Sequence, residues 1–272
     1  MTRLAAVAAA LLLCACSVDP VDFSDKTCPC DQGFVCDTAR DRCVEMLPGD
    51  GGADAPDTGV LEGLVAYYPL DENPATAATD PTGSGPTLQC GVEGVCPSSA
   101  EGRVGRAFAY RGNEAFMVGV DDGRLVTPVA FTATVFIRPA ALTRGVAFAK
   151  LRDSAEPGAI TWSLEMDAAG RAGFAVGNDS DGDSRIWSEP FSLSVDTWAH
   201  LAGTWDGIAM RLYVDGVEVA TGAGVADSSR GDLLIGGSGA SAAVLSFNGE
   251  VDEARLYEQE LEAEAVGLLA NP

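Results

Sequence analysis

Residues 198 to 216 read Trp198-Ala-His200-Leu-Ala-Gly-Thr-Trp205-Asp-Gly207-Ile-Ala-Met210-Arg-Leu-Tyr213-Val-Asp215-Gly216, and this stretch decides the fold. Two apolar runs, Thr197–Trp205 and Ile208–Val214, meet at Asp206-Gly207, a strong signal for a tight hairpin turn. In the second run Met210, Leu212 and Val214 alternate with Arg211 and Tyr213, a period of two that gives the strand one core-facing side. A second Asp-Gly, at 215–216, turns the chain again into Val217–Ala220. Consecutive hairpins of this kind build antiparallel sheets.

The same texture extends in both directions. Upstream, strands are expected at Leu64–Leu70, Arg106–Tyr110, Ala115–Val120, Phe131–Arg138, Gly145–Leu151, Ile160–Met166 and Arg171–Val176, with Arg185–Trp187 returning from an acidic loop. Within Phe131–Arg138, Phe131, Ala133, Val135 and Ile137 share one face. Downstream, Leu233–Ile235, Val244–Phe247 and Glu250–Tyr257 complete the set. Only Glu260–Leu269 has helical spacing, through Leu261, Ala265, Leu268 and Leu269. About a dozen short strands and one terminal helix make an all-β, two-sheet antiparallel sandwich the economical architecture.

The first 61 residues read differently. Arg3 followed by the apolar run Leu4–Leu13 has the form of a leader, too short to span a bilayer as a mature helix. Leu13-Cys14-Ala15-Cys16 resembles the bacterial lipobox, which makes residues 1–15 a lipoprotein signal peptide and Cys16 the acylated first residue. Cys14 departs from that motif, which has a small or hydroxylated residue there. By the same resemblance, Ser17 after the cysteine directs the protein to the outer membrane, held through its lipid anchor alone. Residues 16–47 form a Cys-rich segment, in which Cys28, Cys30, Cys36 and Cys43 suit a two-disulfide knot in an oxidising compartment. Three connectivities are open. Cys-Pro-Cys is also half of a zinc pattern, but no second close pair follows. Residues 48–61, rich in Pro, Gly and Asp, read as a flexible spacer before a domain at 62–272.

A formal charge of −23 at pH 7 disfavours nucleic acid and anionic membrane surfaces as partners. The acidic residues are dispersed, as in a charged, soluble surface. With one histidine, His200, the chain cannot supply a multi-histidine metal site. His200 alternates with Trp198 and Ala202, as a packed strand residue does.

Several motifs resemble the LamG-like jellyroll family of the concanavalin A-like lectin/glucanase superfamily. Trp198-Ala-His200-Leu-Ala-Gly-Thr-Trp205-Asp-Gly207 is similar to its strand-turn, and Met210-Arg-Leu-Tyr213-Val-Asp215-Gly216 to its following hairpin. Leu233-Leu-Ile-Gly236 and Gly249-Glu-Val-Asp252-Glu-Ala-Arg255-Leu-Tyr257 resemble its later strands. Tyr67-Tyr-Pro-Leu-Asp71 and Gly105-Arg-Ala-Phe-Ala-Tyr110-Arg-Gly112 resemble its opening ones. The order matches over about residues 62–270. The chain departs where the family often has Phe-Asp-Gly (Tyr110-Arg111-Gly112 here) and Trp (Phe136 here). The resemblance implies a jelly-roll sandwich and, at Asp71 and Asp252, a structural calcium ion.

Fold resemblance does not fix function. Glycosidases of this superfamily carry an ExDxxE strand; Glu250-Val-Asp252-Glu-Ala-Arg255 ends in an arginine that cannot protonate a leaving group. Asp179-Ser-Asp181-Gly-Asp183-Ser184 is an oxygen-rich loop lacking the glycine and closing glutamate of an EF-hand, and reads as a solvated hairpin. Cys90 and Cys96 bracket a short loop and suit a local disulfide. Trp162, Trp187 and Tyr213 are the candidate sugar-stacking aromatics. The expectation is a non-catalytic envelope binding or adhesion protein whose partner is a glycan or a cell-surface protein. A divergent glycan-processing enzyme and a structural envelope component are the alternatives.

Overall fold

The computed structural model describes the backbone of residues 34–37 and 42–45, and residues 62–272 except 93–94, 113–115, 121–124, 126–128, 153–158, 179–181, 228–229 and 239–244. Cys16, Cys28, Cys30, Asp179 and Asp181 lie outside the described residues. The chain divides into two compact units, Met1–Pro48 and Gly49–Pro272. In the first, β1 (Phe34–Asp37) and β2 (Arg42–Glu45) pair as an antiparallel hairpin whose register sets Cys36 opposite Cys43.

The second unit is a sandwich. Its early strands are β3 (Leu64–Tyr68), β4 (Ala77–Ala78), β5 (Leu88–Cys90), β6 (Ser98–Glu101), β7 (Arg106–Arg111) and β8 (Met117–Gly119). The long central strands are β9 (Phe131–Pro139), β10 (Gly145–Leu151), β11 (Ile160–Met166), β12 (Ala172–Asn178), β13 (Gly182–Trp187), β14 (Ala199–Trp205), β15 (Ala209–Val214) and β16 (Val217–Ala223). β17 (Leu233–Ile235), β18 (Asn248–Tyr257) and helix α1 (Ala263–Leu269) close the chain. One sheet runs β13-β12-β11-β10-β17-β8-β5-β4. The other runs β16-β15-β14-β9-β18-β7-β6, with β3 also on β18. All strand pairs within them are antiparallel, as the jelly-roll expectation required.

The inner faces pack an aromatic centre. Trp162 stands with its ring centroid 4.9 Å from Phe148 and 5.8 Å from Phe131, which in turn lies 5.7 Å from Trp205. Gly203 makes this packing possible, because a Cβ there would sit 2.4 Å from the Phe174 ring. The Trp205 indole donates to the Gly224 carbonyl at 2.9 Å, satisfying its buried N–H. A smaller cluster of Ala202, Tyr213, Tyr257, Leu261, Val266 and Leu269 lies on the outer face of the second sheet, where α1 covers it.

Three short strands escaped the sequence reading. β4 (Ala-Ala), β5 (Leu-Gln-Cys) and β6 (Ser-Ser-Ala-Glu) are too short or too polar to show apolar alternation, and they are strands through their pairing with β5, β8 and β7 respectively. The strand expected at Val244–Phe247 is reduced, in its described part, to a single parallel bridge from Ser246 to Val146. The helix begins at Ala263 rather than Glu260, since Glu260 and Leu261 are drawn onto the sheet by Arg211 and by the Thr132 hydroxyl. Cys90 and Cys96 form a disulfide across their loop.

Candidate ligand-binding surface

β13 forms an edge of the first sheet, and its alternate residues Asp183, Arg185 and Trp187 point away from the core, since Ile186 between them packs inward. Their cross-strand partners on β12 are Gly177, Ala175 and Gly173. These small residues let long side chains fold inward over the sheet. A Cβ on Gly173 would meet the Trp187 ring at 2.6 Å, and one on Gly177 would meet Asp183 at 2.3 Å. Trp187 therefore lies half-buried over Gly173, with the Arg171 guanidinium 5.1 Å from its ring centroid.

The next strand carries Glu165, directly across from Gly173 and buried. Arg185 donates to it through Nε at 2.9 Å and reaches Asp183 through Nη2 at 3.1 Å, while Arg144 approaches it to 4.0 Å from the β9–β10 connection. Asp167 binds both the backbone and the guanidinium of Arg171, which holds its carboxyl below the ordinary carboxylate range even though burial pulls the other way. The surface thus offers a half-buried aromatic ring beside guanidinium donors and carboxylate acceptors. Saccharides are bound by that combination: ring faces stack, and hydroxyls pair with charged groups.

The other two candidate aromatics are corrected by the structure. Trp162 is 1% exposed and sits at the centre of the core, because its parity on β11 matches Leu164 and Met166 rather than the outward Ser163 and Glu165. Tyr213 does point outward from the second sheet, but α1 buries it to 2%. The sequence reading missed Trp198, which is half-buried on the outer face of that sheet with the Arg138 guanidinium 5.1 Å from its ring centroid. The outward parity it shares with His200 was the available signal.

Asp71 and Asp252 come together around one turn. Asp252 accepts from the amides of Arg103 (2.7 Å) and Val104 (3.0 Å), and Asp71 from that of Arg106 (2.6 Å). The second oxygen of Asp252, Oδ1, is buried without a donor. Burial, with Glu253 and Asp71 adding to it, pushes the Asp252 carboxyl up to about 8 against the pull of the two amides. Among the described residues no group of three or more His, Cys, Asp or Glu side chains forms a ligating set. A cation here would draw on these two carboxylates and on backbone or solvent oxygens.

The carboxylates of the ExDxxE-like run are individually engaged. Glu250 pairs with Arg138 at 3.2 Å. Glu253, at φ 54° in a bulge of β18, accepts from the Tyr67 hydroxyl at 2.8 Å and pairs with Arg255. His200 is fully buried, its ring 4.8 Å from that of Phe136.

A family profile describing the concanavalin A-like lectin/glucanases superfamily matches residues 112–267, more than half of the chain. The chain belongs to this superfamily. No curated protein matches it. Among solved structures, this concanavalin A-like chain is similar to domain 4 of AbnA, an extracellular arabinanase of Geobacillus stearothermophilus, described in complex with arabinotriose. The likeness has 22% identity and a TM-score of 0.60, over 76% of this chain and 98% of that one. It also resembles the binding domain of Paraclostridial Mosquitocidal Protein 1 (15% identity, TM-score 0.57, 77% of this chain and 52% of that one). A third likeness is the botulinum neurotoxin serotype D ligand-binding domain in complex with N-acetylneuraminic acid (9% identity, TM-score 0.57, 76% and 50%). The chain spans about half the length of the two toxin domains. At these identities the likeness establishes the concanavalin A-like fold and no more.

Proposed function

We propose that this concanavalin A-like domain is a non-catalytic glycan-binding module, carried at the cell envelope by acylated Cys16 and held off the membrane by the spacer at 48–61. The observation that carries the reading is Trp187 lying over Gly173 among Arg171, Arg185 and Glu165. The neighbours described with arabinotriose and with N-acetylneuraminic acid bound support a saccharide partner. The engagement of Glu250 and Glu253 with Arg138, Tyr67 and Arg255, and the arginine at the third position of the run, favour binding over hydrolysis. A glycan array including arabinan fragments and sialylated chains tests the reading. Binding is expected to fall roughly tenfold in Trp187→Ala, in line with the loss of about 1.4 kcal/mol of stacking. Gly173→Ala, which displaces the indole, is expected to reproduce that loss. An array blank for every glycan, with a protein partner recovered by crosslinking, would replace this reading with adhesion to a surface protein. Release of reducing ends from a bound polysaccharide would replace it with catalysis.

Asp71 and Asp252 are the residues that would hold a structural calcium ion, and the donorless Oδ1 of Asp252 fits that role. Saturating calcium is expected to raise the melting temperature by roughly 5 °C over chelator, as about 2–3 kcal/mol of binding free energy gives in a domain of this size. Asp252→Asn should abolish the difference. Coincident melting curves with calcium and chelator would end this assignment.

A further inference from the structure

Between Trp187, on one outer face of the sandwich, and Trp198, on the other, runs the loop that carries the chain from β13 to β14. It is tied at both ends: Phe191 N–H donates to Ala169 at 3.0 Å, Leu193 N–H to Gly170 at 2.9 Å, and Asp196 N–H to Pro139 at 2.8 Å. Within it Phe191 is 79% exposed and adopts φ 65°. A phenylalanine in the left-handed region is disfavoured by its Cβ, and an exposed ring gains nothing from burial. Strain of this kind, held by a well-anchored loop, points to a contact made with something outside the molecule.

The surroundings indicate what that is. The backbone of Phe191 packs on Gly170, the residue before Arg171, whose guanidinium lies 5.1 Å from the Trp187 ring centroid. The loop therefore starts beside the Trp187 surface and carries the Phe191 ring out at the end of the sandwich. At Asp196 the loop is bonded to Pro139, and the preceding Arg138 lies 5.1 Å from the Trp198 ring centroid and pairs with Glu250. Trp187, Phe191 and Trp198 thus mark a path over one end of the fold. At each tryptophan an arginine and a carboxylate stand beside the ring.

We infer that Phe191 is a saccharide-stacking residue and that the binding surface runs from Trp187 over Phe191 to Trp198, so that the ligand is an extended polysaccharide engaged along its length. This rests on the glycan-binding reading above. A monosaccharide or chain terminus would occupy Trp187 alone. An extended chain gains affinity as further units reach Phe191 and then Trp198.

The test measures dissociation constants by calorimetry for arabinan, xylan and polygalacturonan oligosaccharides from disaccharide to octasaccharide. For at least one series the parent protein is expected to bind more tightly with length, by roughly tenfold or more in total. Phe191→Gly removes the ring and relieves the backbone at once. It is expected to melt no lower than the parent, to bind disaccharide unchanged and to lose most of the gain with length. Trp198→Ala should lose the last part of that gain. Should Trp187→Ala bind weakly while Phe191→Gly and Trp198→Ala match the parent at every length, the extended surface is overturned and the single-platform reading stands. Should none of these oligosaccharides bind while the glycan array shows another saccharide bound, the extended-polysaccharide surface is overturned and glycan binding stands. Should the array also be blank, or should Trp187→Ala bind as the parent does, both readings fall together.

Discussion

Trp162→Ala is expected to cost about 3–5 kcal/mol of stability, the range for truncating a large aromatic in a packed core. In a domain of this size that lowers the melting temperature by roughly 10 °C. The magnitude follows from position. Trp162 is 1% exposed between Phe131 and Phe148, and its removal leaves a cavity that both sheets, fixed by their ladders, can only partly close. Trp187→Ala, in contrast, removes a half-buried ring at a sheet edge and is expected to shift the melting temperature by about 2 °C or less. Thermal denaturation of the pair separates core from surface. A Trp162→Ala protein that melts with the parent would refute the packing described for the sandwich.

The second large effect concerns His200. Burial pulls its imidazole down to about 3, with the nearby Arg255 charge adding to the effect, and neither ring nitrogen has a hydrogen-bond partner. The unfolded chain carries an ordinary histidine near 6.5. Between these values the unfolded state holds a proton that the native state refuses, so this group penalises folding as pH falls below about 6.5, by about 1.4 kcal/mol per unit. Asp252 acts oppositely. Its raised folded value makes the native state the better proton binder up to about pH 8, so its contribution is lost as pH rises. Comparing His200→Leu with the parent, both in chelator, cancels that second contribution. The variant is expected to match or exceed the parent at pH 7, because an unpaired buried imidazole gains little that an apolar side chain does not. Its advantage should then grow to on the order of 4 kcal/mol as pH approaches 3. Urea titrations across pH 4 to 7 check this, and a constant difference between the two proteins would show that His200 does not titrate as its burial requires.

Much of this architecture was legible in the residues because its signals are local. The Asp-Gly turns, the period-two alternation of Met210, Leu212 and Val214, and the ordered motifs ending in Asp252-Glu-Ala-Arg255 determine strands and hairpins through contacts a few residues apart. Parity within a strand was legible too: Phe131, Ala133, Val135 and Ile137 all face the core. The reading failed where a neighbour distant in sequence intervenes. Nothing in β15 itself announces that α1, some fifty residues later, will bury Tyr213. Nor does β11 announce which of its two faces meets the opposite sheet, and that choice put Trp162 inside.

By itself the sequence determined an antiparallel sandwich built from consecutive hairpins, since periodicity and turn chemistry are properties of the chain. The tertiary structure alone decided which aromatics meet solvent, because exposure depends on what packs above each face. It therefore left Trp187, Phe191 and Trp198 outside and took Trp162 and Tyr213 into the interior.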